Sequence, residues 1–446
     1  MGIFLKKILL YTSKMKKPDK DKLYNNGVFC ILPWMHAYVN TDSTVWSCCV
    51  NKEMQNEGEV KFHTLPTDWK KNVSIMENNM EDLINNDYFK KLRLDMLNGV
   101  KNKNCTDCHA LEERTGHSYR QDFNENYDDY FDKVIETHED GSIDNFETIY
   151  LDFRFSNLCN FRCRSCRPEW SSTWAKEAAT NHNHPYKDWD GYIPRHDLTE
   201  KEFIDKFKDT FKTVKRIYFA GGEPLAAKEH YWILKHLIEN NNTDLIVEYN
   251  TNLSMLKNSK LKLSVVDYWK KFSSVIIRVS LDGSGEKAEY IRSGTDWKVI
   301  ENNFKFVKKR LPNINLGISS VFQLTNALHI PDFYQDWIDK GLLDEEGLHN
   351  TFLISLTGPE QLSPHILPKE VKVLVREKWN RFIDENLKEQ HFNFKRYIND
   401  CLDYMDSEDL YERKKREFEK FTWYLDKIRK EKFSDIFPEL KDYYEC

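Results

Sequence analysis

Between residues 148 and 356, six short β-favouring runs recur at 148–155, 216–220, 245–250, 275–281, 315–321 and 352–356. Amphipathic stretches with helical spacing lie between them, for example 230–239 and 297–309. Strands that alternate with helices form a mainly parallel sheet, because a parallel return needs a crossover long enough to hold a helix. The predicted class is therefore α/β, with ligands at the carboxyl ends of the strands. At 446 residues and 53.4 kDa the chain also has room for a second domain.

The first run leads straight into Cys159-Asn160-Phe161-Arg162-Cys163-Arg164-Ser165-Cys166. Three cysteines separated by three and then two residues, on a loop leaving a strand, can surround one soft metal centre. Three thiolates on a four-iron, four-sulfur cube leave the fourth iron without a protein ligand. Zinc is the alternative on spacing alone. The second run ends in Gly221-Gly222-Glu223-Pro224, where two glycines permit close backbone approach and Glu223 offers a carboxylate to an ammonium group.

Taken together, the cysteine triad and the Gly-Gly-Glu-Pro segment one βα unit later resemble the radical S-adenosylmethionine (radical SAM) enzymes. The resemblance implies a partial (β/α)6 TIM-type barrel, a [4Fe-4S] cluster on Cys159, Cys163 and Cys166, and Gly221, Gly222, Glu223 and Pro224 at the amino group of S-adenosylmethionine. It also implies that Asn252, Ser280 and Asp282, short polar residues at strand ends, lie beside the cofactor, and that Arg292 pairs with the methionine carboxylate. Two features depart from the family. Ser165 stands where an aromatic usually precedes the third cysteine, and Gly317-Ile318-Ser319-Ser320 lacks the adenine-binding glycine pattern.

A second cysteine set lies upstream. Two runs, 29–40 and 44–50, flank a turn at Thr41-Asp42-Ser43 and predict a hairpin carrying Cys30 and either Cys48 or Cys49. A largely helical stretch over 68–98 and a stop at Gly99 precede Cys105-Thr106-Asp107-Cys108 and a helix over 110–119. Four thiolates from a hairpin and a Cys-x2-Cys turn make a complete set for zinc or for iron-sulfur. The unit resembles the SPASM and twitch auxiliary-cluster modules of radical SAM maturases, which implies an auxiliary iron-sulfur cluster on Cys30, Cys48, Cys105 and Cys108, with zinc as the alternative. Ser43 occupies the module's glycine position, and the module precedes the barrel instead of following it. Register favours Cys48 over Cys49, since neighbouring strand residues face opposite sides.

The expected organisation is an N-terminal extension (1–28), the cysteine-rich module (29–120), an acidic linker (121–147), the barrel (148–368) and a helical C-terminal region (369–446). Residues 182–194 read as an inserted aromatic loop. Cys401 and Cys446 have no partner at ligand spacing. With 66 basic and 72 acidic residues, the net charge of -6 gives no sign of a general nucleic-acid binder. Eight of the ten cysteines lie in short motifs, which points to metal ligation in a reducing compartment. The apolar opening 3–11 is broken by lysines and too short to span a bilayer, so the expected location is the cytoplasm, with no membrane partner.

By resemblance, the chemistry is reductive cleavage of S-adenosylmethionine to a 5′-deoxyadenosyl radical that abstracts a substrate hydrogen. The resemblance to maturases implies an oxidoreductase that modifies a peptide or protein side chain, supplied by a one-electron reductant such as a flavodoxin or ferredoxin. The alternatives are a small-molecule substrate, a nucleotide or sugar, and a non-catalytic metal scaffold or electron carrier.

Overall fold

A computed structural model describes residues 17–50, 73–154, 156–189 and 197–446. The chain divides into two compact units, Met1–Asp152 with Asp205–Val214, and Phe153–Ile204 with Lys215–Cys446.

In the first unit, β1 (His36–Val39) and β2 (Val45–Trp46) pair antiparallel with Tyr38 opposite Trp46 and Val39 opposite Val45. The hairpin turn closes as the Asn40 N–H donates to the Thr44 carbonyl at 2.9 Å. Ser43 sits at φ 70°, in the left-handed region, so the glycine-like conformation is kept by a serine. Helices Met80–Ile84 and Asp87–Leu97 carry the expected helical stretch, whose first residues, 68–72, lie outside the described ones. Gly99 follows at φ 71°. The next helix runs Thr106–Thr115, four residues earlier than expected, because Asp107 and Cys108 enter its first turn and Gly116 ends it in the left-handed conformation.

Residues 121–147 are not a linker. Helices Tyr119–Asn126 and Asp132–Ile135 run through this stretch, and Tyr127, Phe131, Val134 and Ile143 are buried. Asn124 explains why a polar segment packs: its side chain accepts the Ile31 N–H and donates to the Phe29 carbonyl, both at 2.9 Å, so it replaces backbone partners for the residues flanking Cys30. Within the expected extension, Leu23 on helix Lys20–Tyr24 is buried, so residues 20–24 belong to this unit.

β3 (Tyr150–Phe153) carries the chain into the second unit. There, β4 (Arg216–Phe219), β5 (Ile246–Thr251), β8 (Ser274–Ser280), β9 (Ile314–Phe322) and β10 (Phe352–Ser355) form a parallel sheet in that order, while a small hairpin, β6 (Lys257–Asn258) and β7 (Leu263–Ser264), lies in the β5–β8 connection. All six expected strands are present, and no closed barrel forms among the described residues. One sheet face is a continuous apolar layer, with Ile217, Phe219, Val247, Tyr249, Val275, Ile277 and Val279 each at most 1% exposed. Helix Lys228–Glu239 buries Tyr231, Ile233, Leu234 and Leu237, and helix Trp297–Arg310 buries Ile300, Phe304 and Val307.

The C-terminal helices Lys369–Asn386, Phe392–Ser407 and Tyr411–Arg429 belong to the same unit. Trp379 is fully buried, and its indole N–H donates to the Ala327 carbonyl at 3.2 Å. Burying a side chain of this size contributes about 2–3 kcal/mol, so the helix is core rather than appendage. No described helix is long and apolar enough to cross a membrane.

Candidate active site and cysteine centres

The loop after β3 is held from three sides within the second unit. The Gly-Gly-Glu-Pro segment runs alongside it: the N–H groups of Ala220, Gly222 and Glu223 donate to the carbonyls of Phe153, Ser156 and Leu158 at 3.2, 3.1 and 2.7 Å. A Cβ on Gly222 would stand 2.4 Å from the Leu158 carbonyl oxygen, and one on Gly221, at φ +99°, would stand 3.0 Å from Arg154. These glycines therefore let two loop backbones touch, in addition to any approach to a ligand.

On the second side, the N–H groups of Arg162 and Arg164 donate to the carbonyls of Ser293 and Ile291 at 2.9 and 2.8 Å. Gly294, at φ +107°, leaves room for Asn160 and Phe161. The third side is helix Ser172–Thr180: the hydroxyls of Ser171 and Thr173 donate to the Phe161 carbonyl at 2.5 and 2.6 Å, and the Trp174 indole to the Cys163 carbonyl at 2.6 Å. The described part of the 182–194 insertion packs on this helix, with His184 and Tyr186 edge-on to Trp174.

All three thiols are free. Burial pushes each above its ordinary value, Cys166 to about 12, and neighbouring cysteine charges add to the effect at Cys159 and Cys166. At Cys163 the Arg292 guanidinium opposes the rise. The Phe161 N–H donates to the Cys159 sulfur at 3.4 Å, and Arg292 Nη1 lies 3.8 Å from the Cys163 sulfur. Half-buried thiols crowded in this way, with donors aimed at sulfur, suit a cationic centre that takes them as thiolates. The donor set thus fits an iron-sulfur cluster with one iron left open.

Glu223 is 2% exposed. Its Oε1 accepts the Leu225 N–H at 3.0 Å and the Thr251 hydroxyl at 2.7 Å, and its Oε2 accepts the Asn252 N–H at 2.8 Å. Burial raises its carboxyl above the usual range, against the pull of those three donors. Pro224 opens the short 3-10 turn that follows. The Asn252 side chain donates to Asn160 Oδ1 at 3.0 Å, which joins β5 to the cysteine loop.

Ser280 ends β8 half-buried and opposite Ser319. Asp282 is fully buried; its Oδ1 accepts the Val321 N–H at 2.8 Å and its Oδ2 stands 2.8 Å from Arg292 Nε. Asp282 and Arg292, expected beside S-adenosylmethionine, are therefore paired with each other and with Cys163. Gly317 belongs to packing, since its Cβ would strike Asn350 at 2.4 Å.

Sequence reasoning missed Glu229 and His230, which line a cleft with Ser156, Gly222, Glu223 and Pro224. Burial raises the Glu229 carboxyl and lowers the His230 imidazole to about 3, leaving the ring neutral with Nε2 2.9 Å from the Tyr249 hydroxyl. In sequence both read as the ordinary first turn of a helix. Also missed was the ionic frame around the loop. Arg164 is 2% exposed and reaches Asp426 and Glu431, each at 2.5 Å, over the Tyr290 ring at 3.6 Å. Arg429 reaches Glu177 at 2.8 Å.

In the first unit, the cysteines that act on Cys48 electrostatically are Cys49 first, then Cys105, Cys108 and Cys30. Burial raises Cys30, Cys48, Cys105 and Cys108, the third to about 12 and the last to about 11. Hydrogen bonding from the Leu32 backbone at Cys30, and from the Arg120 backbone at Cys108, opposes the rise. Arg120 is itself fixed on Glu112 and on the Phe29 carbonyl at 2.8 Å. Among the described residues no three His, Cys, Asp or Glu side chains form a group that could hold a single metal ion. A cluster asks for a different arrangement, with a separate iron against each sulfur.

Residues 153–329 match the Radical SAM superfamily profile. A curated relative, an S-adenosylmethionine-dependent nucleotide dehydratase of Fibrobacter sp. (strain UWH6), is 24% identical over 186 residues, 40% of this chain and 48% of that protein. The chain thus spans about half the length of this relative. Among solved structures, native anSMEcpe with bound AdoMet is 18% identical with a TM-score of 0.37, covering 53% of this chain and 61% of its own. Streptococcus suis SuiB bound to S-adenosylmethionine is 13% identical with a TM-score of 0.36, covering 55% and 49%. Residues 153–329 are thus identified, by the profile they match, as a radical SAM domain.

Proposed function

We propose that this protein is a radical SAM enzyme that binds a [4Fe-4S] cluster on Cys159, Cys163 and Cys166 and uses S-adenosylmethionine to abstract a hydrogen atom from its substrate. The observation that carries the reading is the mounting of the cysteine loop against Gly-Gly-Glu-Pro, with three free, half-buried thiols in a domain that matches the superfamily profile. When bound, the cluster and S-adenosylmethionine supply one-electron cleavage of a sulfonium and the hydrogen-abstracting radical that results. The chain's own part is to hold and exclude. Glu223 fixes the loops after β4 and β5, and its Oε2, with one protein donor, keeps an acceptor position for an ammonium group. Asn252 and Ser280 edge the same ends of the sheet. Buried Trp174 and Phe161 back the loop with apolar surface that excludes water.

In the first unit, Cys30, Cys48, Cys105 and Cys108 hold an auxiliary iron-sulfur cluster in this reading. The substrate is a peptide or protein side chain, on the likeness of the four-cysteine unit to maturase modules. A nucleotide-like small molecule is the second reading, favoured by the name of the Fibrobacter relative.

The test is iron and acid-labile sulfide in anaerobically purified protein, beside a variant with Cys159, Cys163 and Cys166 changed to Ala. About eight irons falling to about four supports two cubane clusters, about four falling to none leaves the first unit with zinc or nothing, and no iron in either removes the mechanism. 5′-Deoxyadenosine formation stimulated by peptide pools or by nucleotides then separates the two substrate readings.

A further inference from the structure

The backbone bonds from Arg162 to Ser293 and from Arg164 to Ile291 hold the cysteine loop against the C-terminal end of helix Gly285–Ile291. They bring the Arg292 side chain to Cys163, the residue between Arg162 and Arg164. The guanidinium is steered there from behind. Arg292 Nε lies 2.8 Å from Asp282 Oδ2 in a close ion pair, and Nη1 lies 3.8 Å from the Cys163 sulfur. Asp282 has no freedom of its own: it is 0% exposed, its Oδ1 takes the Val321 N–H at 2.8 Å, and its carbonyl takes the Asn326 side chain at 3.1 Å. The guanidinium is a permanent cation.

We infer that Arg292, aimed by Asp282, is a positioning residue that raises the reduction potential of the cluster held by Cys163, and that it does not serve as the partner of the methionine carboxylate. The inference rests on the cluster reading above. One-electron reduction, from an external donor such as dithionite, adds a negative charge to the cluster. A fixed cation against a ligand sulfur, where little water screens it, stabilises that reduced state. The Asp282 carboxylate on the far side of the guanidinium offsets part of this field. The two residues therefore act with opposite sign, which separates an electrostatic role from a structural one.

The experiment is an anaerobic potentiometric titration of the full chain without S-adenosylmethionine, followed by electron paramagnetic resonance. The barrel signal is the one lost when Cys159, Cys163 and Cys166 are changed to Ala. Arg292→Gln is expected to move its midpoint to a more negative potential, Arg292→Lys to restore most of the shift, and Asp282→Asn to move the midpoint the opposite way. Unmoved midpoints with weakened S-adenosylmethionine binding in Arg292→Gln overturn the inference and return Arg292 to the carboxylate. Shifts of the same sign in Arg292→Gln and Asp282→Asn overturn it in favour of a structural role. If Arg292→Gln does not retain the cluster, Asp282→Asn decides alone: a rise supports the inference, and a fall or no change overturns it. A parent chain with no triad-dependent signal defeats the cluster reading itself.

Discussion

The Glu223 carboxylate accepts the backbone N–H of Asn252 at 2.8 Å, across 29 residues of sequence, and so ties the loop after β4 to the loop after β5. Its other oxygen takes the Leu225 N–H and the Thr251 hydroxyl. A buried acid that satisfies three donors is first a piece of architecture. Glu223→Gln keeps one acceptor oxygen and sets an NH2 group against a donor. It is expected to lower stability by about 1–3 kcal/mol, the usual cost of a buried unmatched group. The check is the denaturant midpoint of the metal-free protein, and an unchanged midpoint would show that the three bonds contribute little.

Gly222 gives a sharper geometric test. A methyl group there meets the Leu158 carbonyl oxygen at 2.4 Å, one residue before Cys159. Gly222→Ala should destabilise by about 2 kcal/mol or more and reduce the iron bound by the triad. Gly285→Ala is the control, since its φ of +55° brings backbone strain but nothing lies within 4 Å. It should cost about 1 kcal/mol and leave iron content alone.

The Arg164 ion group predicts sensitivity far from the loop. Asp426→Asn removes one of two carboxylates from a buried guanidinium that already stacks on Tyr290. Breaking such a pair from one side costs about 3–5 kcal/mol. The expected readout is a lower thermal midpoint together with faster loss of iron to a chelator. A variant that is destabilised yet holds iron like the parent would separate the helix from the loop.

Glu177 carries a pH signature. Burial would raise its carboxyl, but His184, Arg429 and Arg162 together bring it down to about 2 from the ordinary 4.5. For an acid depressed in the folded state, the stability is fully present above the unfolded value and is lost as pH falls through the folded one. The stability difference between parent and Glu177→Gln should therefore be largest above about pH 5 and shrink as the pH is lowered towards about 3. Denaturant titrations of metal-free protein across that window measure it, and a difference independent of pH contradicts the assignment.

Ser43 holds a left-handed backbone at φ 70° in the hairpin before Cys48. Ser43→Val places a branched side chain there and should cost about 1–2 kcal/mol, with loss of any metal bound by the first unit. Metal content of the first unit equal to the parent's would show that the turn does not govern the cysteine site.

The sheet was legible because each strand is a compact β-branched and aromatic run, as in Val275, Ile277 and Val279, and such runs have few other uses. The cysteines were legible because ligand chemistry tolerates few substitutes. The fate of 121–147 was not, because its burial depends on Asn124 acting as a backbone surrogate for Phe29 and Ile31, a role that composition hides. Nor could the sequence reveal that Arg292 faces Cys163. That contact spans 129 residues and follows from the backbone bonds of Arg162 and Arg164 to Ser293 and Ile291, which no local pattern marks. Glu223 was recognised by its motif, but its bonds to Thr251 and Asn252 exist only once β4 and β5 are side by side.

The contact between Arg164 and Asp426 spans 262 residues. A ribosome working at about 5–20 residues per second delivers Asp426 some tens of seconds after Arg164. Throughout that interval the nascent loop carries a buried-type arginine without its Asp426 counter-charge. The mount of the cysteine loop is therefore complete only once helix Tyr411–Arg429 has been made.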